Sequence, residues 1–293
     1  MKHILLTLLS TTLIYSSTGY GKLTNDPNKK LSDSYLNHPI YGYDFKSNEQ
    51  LSDWTIEGFG QASIEHGKLI LEPEFHQPLL TLQSTGKYSD ANEASEYGDD
   101  LAAMVKEKYP LAVDKMYVDG VFRGGHFNIW NKNTTPENYS ISFDFQSLSP
   151  QSLHMIMFSA QGLNGQDVLH GDVAPRTGLA SEIMRGDVTM YRISYFFPFR
   201  KSANMRKSPG RHMTASGRDI ASENPEGLHK MVVTKWNGEV NYFVNGEHAL
   251  SYTDKKPLSG GNWGFRLMVL AKGAYSNINV YQLDSNPVMT GAK

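Results

Sequence analysis

Hydrophobic and polar residues alternate through most of this chain. Short alternating runs come first, at Tyr43 to Phe45, Trp54 to Phe59, Ala62 to Glu65 and Lys68 to Glu72, broken by turn residues such as His66-Gly67. Longer ones follow at His126 to Trp130, Tyr139 to Phe145, Leu153 to Ala160, Met190 to Phe197, Lys230 to Trp236, Val240 to Val244, Trp263 to Leu270 and Ile278 to Leu283. A period of two is that of a strand with one face buried. Asn237-Gly238 and Asn245-Gly246 sit between such runs and predict tight hairpins. Tyr88 to Pro110 departs from the pattern. There Ala91, Ala94, Leu101, Ala102, Ala103 and Met104 lie among acids and lysines, which predicts a helix ended by Pro110 and inserted between strands. Its acids, Asp90, Glu93, Glu96, Asp99 and Asp100, read as a solvated face. A dozen or so strands without βαβ alternation predict an all-β fold, an antiparallel two-sheet β-sandwich or jelly roll with a small helical insertion.

The same parity sorts side chains between faces. With Phe127/Ile129, Ile141/Phe143/Phe145, Ile156/Phe158, Ile193 and Phe265/Leu267 turned to the core, His126, Asn128, Trp130, Arg192, Ser194 and Arg266 share outward faces that a curved sheet would gather into one cleft. Polar and aromatic groups on such a face suit sugars, since rings stack on pyranoses and Arg, Asn and His satisfy hydroxyls and acids. Trp130 and Trp263 fit core packing equally well. Tyr191 and Tyr195 are ambiguous: they could face the core with Ile193, or the cleft after a bulge.

Composition adds bounds. The 293 residues include 26 Gly, 13 Pro and no Cys, with 39% hydrophobic residues and a formal net charge of −2. No disulfide, thiol nucleophile or Cys-ligated metal can occur. Residues 1–21 read as an export signal, with Lys2 and His3 ahead of an apolar run from Ile4 to Tyr15 and the small residues Ser16 to Gly19. Residues 22–40 read as a polar linker, or an extended strand at most. Residues 41–285 form the sandwich, with residues 88–120 as its insertion, and 286–293 form a tail.

Charge is not spread evenly. From Arg185 to Arg218 the cations Arg185, Arg192, Arg200, Lys201, Arg206, Lys207, Arg211 and Arg218 face one acid, Asp187, and lie among Tyr191, Tyr195, Phe196, Phe197 and Phe199. The segment reads as a strand followed by a basic loop whose Arg206 can close over an acid. A planar guanidinium bonds two oxygens of a carboxylate or sulfate at once.

The stretches HFNIWNKNTTPENYSISFDFQSLSP, MIMFSAQGLNGQDV, MYRISYF followed by RKSANMRKSPG, and WNGEVNYFVNG with GGNWGFRLM resemble the family called domain of unknown function 1961. The resemblance covers roughly Tyr41 to Leu283 apart from Tyr88 to Gly120, and Asn204 to Gly210 is its most specific piece. It implies a concanavalin A-like lectin and glucanase sandwich, secreted or periplasmic, working beside polysaccharide-degrading enzymes, and the chain also resembles the dehydratases that act on oligosaccharides of ulvan.

Three functions fit these residues. The first is β-elimination on a uronic acid, as a dehydratase or a lyase, giving a 4,5-unsaturated uronate. The C5 proton is removable only once the neighbouring carboxylate is neutralised, so the site needs a cation, a base and an acid. Arg192, Arg206 or Arg266 would take the carboxylate, His126 or Tyr195 would be the base, and Tyr191 the acid, with nearby cations lowering a Tyr pKa. Asn128, Trp130 and His170 would line the substrate site, with His154 and His170 as reserves for proton transfer and His212 able to help bind an anion. The second is a glycoside hydrolase, which needs two carboxyl groups across the scissile bond; Asp144, Glu182 and Asp187 are available, without a catalytic motif. The third is noncatalytic binding of an acidic glycan. The expected partner is thus an acidic oligosaccharide or polysaccharide, with no nucleic acid and no membrane span. A structural calcium is compatible with such sandwiches, but no EF-hand loop is present and no cofactor or metal is assigned.

Overall fold

The computed structural model describes residues 24–36, 38–89, 96–150, 153–210 and 212–290. The export signal read at residues 1–21, Arg211, and the acids Asp90 and Glu93 lie outside them. Two antiparallel sheets face one another. The first runs in the order β13 (His212–Arg218), β12 (Ser202–Ser208), β11 (Val188–Tyr195), β10 (His154–Gly162), β17 (Gly261–Leu267), β8 (Phe127–Thr135) and β3 (Trp54–Gly58). The second runs β16 (Glu247–Thr253), β15 (Glu239–Val244), β14 (His229–Trp236), β9 (Tyr139–Ser147), β18 (Gly273–Gln282), β5 (Lys68–Pro73) and β4 (Gly60–Glu65), with β2 (Pro39–Tyr43) also paired to β18. The fold is therefore the all-β two-sheet sandwich that the alternation predicts.

Its main core forms where the inward positions of both sheets meet. Phe127, Ile129, Ile141, Phe143, Phe145, Ile156, Phe158, Ile193, Phe265 and Leu267 all lie in it, and so does Trp263. Burying these rings and branched chains contributes on the order of 1.5–3 kcal/mol each, which fixes the strand registers, because a one-residue slip would turn every one of them outward. The two Asn-Gly pairs close hairpins with both residues at positive φ (46° and 81°, 53° and 80°), as a turn matched to the twist of the strands requires.

The structure differs from the sequence expectation in three places. The basic loop after β11 is a pair of strands, β12 and β13, so the backbone of Arg206 is held in a ladder between Arg192 and Met213. SANMRKS hides its strand character because its inward residues, Ala203 and Met205, are small or unbranched. The helical insertion starts earlier than Tyr88, with α1 (His76–Ser84), where Pro78 is tolerated in the first turn; α2 (Gly98–Lys108) and the hairpin β6 (Tyr117–Val118) to β7 (Val121–Phe122) follow. Within the expected linker and tail, β1 (Lys29–Leu31) pairs with β19 (Val288–Thr290).

Two smaller clusters matter for the site. Helix α2 and its neighbours bury Leu101, Val105, Met116 and Phe122 against Leu179 and Val269, at one end of the first sheet. On that sheet's outer face, Trp130, Met157, Val168, Ile183 and Met190 pack together under the segment running from 163 to 187. No helix among the described residues is long and apolar enough to cross a membrane.

Candidate functional site

Six outward residues of the first sheet form one continuous row. Asn204 lies opposite Ser194, Ser194 opposite Met155, Met155 opposite Arg266, Arg266 opposite Asn128, and Asn128 opposite Glu57. Two residues further along the strands, Arg206 lies directly opposite Arg192. The two rows floor a cavity of about 340 Å³ lined by Arg192, Arg200, Arg206 and Arg266 with Ser194 and Asn204. Leu153, Met155, Ile183, Met184 and Met268 form its apolar side. No acidic side chain is among its described lining residues.

A short strap, residues 176–180, closes one side of this cavity and leads into α3 (Ala180–Arg185), whose Ile183 and Met184 overhang it. The strap is rigid for identifiable reasons. Both oxygens of Glu182 are committed to it, accepting from Thr177 N at 2.8 Å, Thr177 Oγ1 at 2.9 Å and Leu179 N at 3.1 Å. Gly178 has a φ of 85°, and a Cβ there would stand 2.1 Å from the His126 carbonyl oxygen, so only glycine allows the strap this close to β8.

Arg266 is the centre of the arrangement. Its side chain is wholly buried, and Nη1 donates to Asn128 Oδ1 at 2.9 Å and to the Gly178 carbonyl at 2.5 Å. Nε and Nη2 are buried without a partner among the described residues. Burial, and then the nearby Arg192 guanidinium, push its pKa down to about 10. A buried guanidinium bonded only to neutral oxygens is costly, and a bound anion would offset that cost. Arg192 is also buried, donating to Ser208 Oγ and to the Gly210 carbonyl at 3.4 Å. Arg200 donates to the Ser202 carbonyl at 2.7 Å and to Ser194 Oγ at 3.0 Å.

The residues singled out from the sequence divide between this cavity and other places. Arg192, Arg206 and Arg266 line it, and Asn128 lies under its floor. Tyr191 and Tyr195 do not reach it; both lie in the core between the sheets, on the opposite face of β11 from Arg192 and Ser194. The Tyr191 hydroxyl donates to Asp254 Oδ2 at 2.6 Å, and burial followed by that carboxylate raises its pKa, the reverse of the expected lowering by cations. Burial likewise raises Tyr195 well above its usual value. His126 is buried just ahead of β8 and accepts from Val269 N at 2.9 Å through Nδ1. Burial, Arg266 and Arg123 hold it well below the ordinary histidine value. It is therefore neutral with its proton on Nε2, a donor and not a base. His154 is buried against Tyr275, its Nδ1 2.8 Å from the tyrosine oxygen.

Trp130 is buried beneath the 163–187 segment, its Nε1 donating to Glu57 Oε2 at 2.7 Å, so it offers no stacking surface. His170 stands elsewhere, on a second cavity of about 580 Å³ lined also by Glu57 and Arg176. The sequence named Arg200 among the clustered cations and Asn204 in the most specific stretch without placing either in the site, and the Glu57–Arg176 pair did not emerge from it. The outward parity of Asn204 with Ser194 was a usable signal once SANMRKS is read as a strand; for Glu57 and Arg176, far apart in sequence, there was none. Among the described residues no group of three or more His, Asp or Glu side chains is placed to hold a metal ion.

These features define an antiparallel β-sandwich with an arginine-lined cavity on the outer face of one sheet. The chain belongs to the family described as domain of unknown function 1961, whose model matches residues 88–280. It is 30% identical over 171 residues to the uncharacterized protein YesU of Bacillus subtilis (strain 168), a match covering 54% of this chain and 77% of that protein. Among solved structures it is similar to a protein of unknown function with a galectin-like fold from Bacillus subtilis, with a TM-score of 0.62 and 24% identity over 84% of this chain and 96% of the other. A laminarinase from Flavobacterium sp. UMI-01 aligns with a TM-score of 0.47 and 10% identity over 84% of this chain and 100% of the other.

Proposed function

We propose that the protein takes the carboxylate of a uronic acid unit of an oligosaccharide into the arginine cavity, and that the reaction this favours is β-elimination at that unit, by a dehydratase or a lyase. The observation that carries the reading is Arg266, wholly buried with Nε and Nη2 unpartnered in a cavity of four guanidiniums and no described acid. Nε and one terminal nitrogen of a guanidinium match the two oxygens of a carboxylate. Pairing there withdraws charge from the acid, makes the C5 proton easier to remove, and stabilises the carbanion that forms; the base that takes that proton and the acid that protonates the leaving oxygen would come from outside the described lining. Oligosaccharides of ulvan are one such substrate. The leader read at residues 1–21 would carry the protein to where polysaccharide fragments are met.

Hydrolysis is less well served, because it needs two carboxyl groups in the cleft and the described lining supplies none. Noncatalytic binding of the same acidic glycan is the second reading. It is favoured by one observation: no His, Tyr or carboxylate is among the described lining residues. A panel of uronic acid oligosaccharides followed together by ultraviolet absorbance and mass separates these readings. Unsaturated product with loss of one water from an intact chain means a dehydratase, and unsaturated product with cleavage means a lyase. Binding without product leaves the second reading, and no binding of any acidic oligosaccharide overturns both.

A further inference from the structure

The second cavity differs in kind from the first. It opens over Thr55 and Glu57 at the far end of the same strand row, framed by residues 167–176. Its charges balance, Glu57 and Asp167 against Lys132 and Arg176, where the first cavity carries four cations. Arg176 is buried and already neutralised: Nε and Nη2 bond both oxygens of Glu57 at 2.8 and 2.6 Å, and Nη2 also donates to the Val168 carbonyl at 2.8 Å. Its Nη1 is nevertheless buried without a partner among the described residues. A guanidinium whose charge is matched does not recruit a second anion. What it lacks is one neutral acceptor, such as a sugar hydroxyl or ring oxygen. A volume of about 580 Å³ is ordinary for a ligand pocket.

Position links the two cavities. Glu57 lies opposite Asn128, and Asn128 opposite Arg266, so Glu57, which Arg176 bonds, stands two strand spacings from Arg266, roughly 10 Å between backbones. The strap runs between them, with Arg176 in one cavity and Ala180 in the other. We propose that the second cavity binds neutral sugar units of the same oligosaccharide whose acidic unit occupies the arginine cavity. The placement of the acidic unit rests on the function proposed above; the neutrality of the second ligand rests on the second cavity alone.

Calorimetric titration with two defined acids tests this, using aldobiouronic acid, a glucuronate joined to one xylose, and aldotetraouronic acid, which carries three. The wild-type protein should bind the longer acid at least about tenfold more tightly. Ala174→Trp, which fills the second cavity from an exposed lining position, should bring both acids to the affinity of the shorter, and Lys132→Ala should give part of that loss. Equal affinities in the wild type, or a gain that survives Ala174→Trp, overturns the inference. If neither acid binds, the uronate reading fails, and xylotetraose then reads the second cavity by itself. Chemical-shift changes at Lys132 and His170 that Ala174→Trp abolishes support it, and their absence overturns it.

Discussion

Arg192 and Arg206 lie directly opposite one another on β11 and β12, two like charges on facing positions of neighbouring strands. Such a pair is destabilising by itself, and an anion held between or above the two groups would offset the repulsion. Arg206→Ala is therefore expected to leave the unfolding free energy within about 0.5 kcal/mol of wild type, or to raise it. Affinity for a uronic acid disaccharide should fall about tenfold or more, with a weaker dependence on salt. Thermal unfolding and calorimetry on the same variant check both halves; a collapse in stability would make Arg206 a structural group.

Arg266→Met probes the buried guanidinium. Removing a desolvated charge offsets the loss of donors to Asn128 Oδ1 and the Gly178 carbonyl, so the stability change should stay within about 2 kcal/mol. Binding of acidic ligands should drop by about a hundredfold, and Arg266→Lys should not restore it, because an ammonium cannot bond both carboxylate oxygens in a plane. Retained binding in Arg266→Met would remove the group from the site.

Tyr195→Phe separates the core placement from the role expected of it as a base. The ring is packed against Phe145 and stacked near His154, between the sheets. Turnover or binding should stay within about twofold of wild type, where loss of a general base costs roughly a hundredfold or more. A loss of that size would contradict the inward orientation of the side chain.

Acid should destabilise the fold through its buried histidines. Burial holds His154 at about 3 and His248 at about 4, whereas both would titrate near 6.5 in an unfolded chain. The native values are the lower ones. Above about pH 6.5 neither state is protonated and the two residues are neutral in their effect. Below it the unfolded chain takes up protons that the native one refuses, and each histidine removes up to about 1.4 kcal/mol per pH unit until its native value is reached. His248→Gln should lessen the slope of unfolding free energy against pH by about one proton between roughly pH 6 and pH 4. Urea denaturation at a series of pH values measures this, and an unchanged slope would refute it.

Parity alone made most of the fold readable in the sequence. In β8, β10, β11 and β17 it separated Ile129, Ile156, Ile193 and Phe265 from Asn128, Arg192, Ser194 and Arg266, because a buried face tolerates no slip. The same rule left Tyr191 and Tyr195 open between the core with Ile193 and a cleft reached after a bulge; β11 keeps its parity through Tyr195, so both lie in the core. Other parts of the site had no local signature. The strap is defined by a glycine fitting against the carbonyl of His126, just ahead of β8, and by a glutamate bonding backbone five residues away. The Glu57–Arg176 pair joins residues far apart in sequence that meet only because β3 and the 163–187 segment lie on one sheet face.

The sheet order also bears on how this family is handled at the bench. A fragment cut at the limits of the family match, residues 88 and 280, would discard β2, β3, β4 and β5. β3 is the edge partner of β8, and β5 lies beside β18. Such a fragment would bare two hydrogen-bonding ladders and the aromatic surface that Trp54 covers, an invitation to self-association. Expression clones should begin before Lys29 and run past Thr290, so that both ends of the chain keep the strand that each supplies to the other.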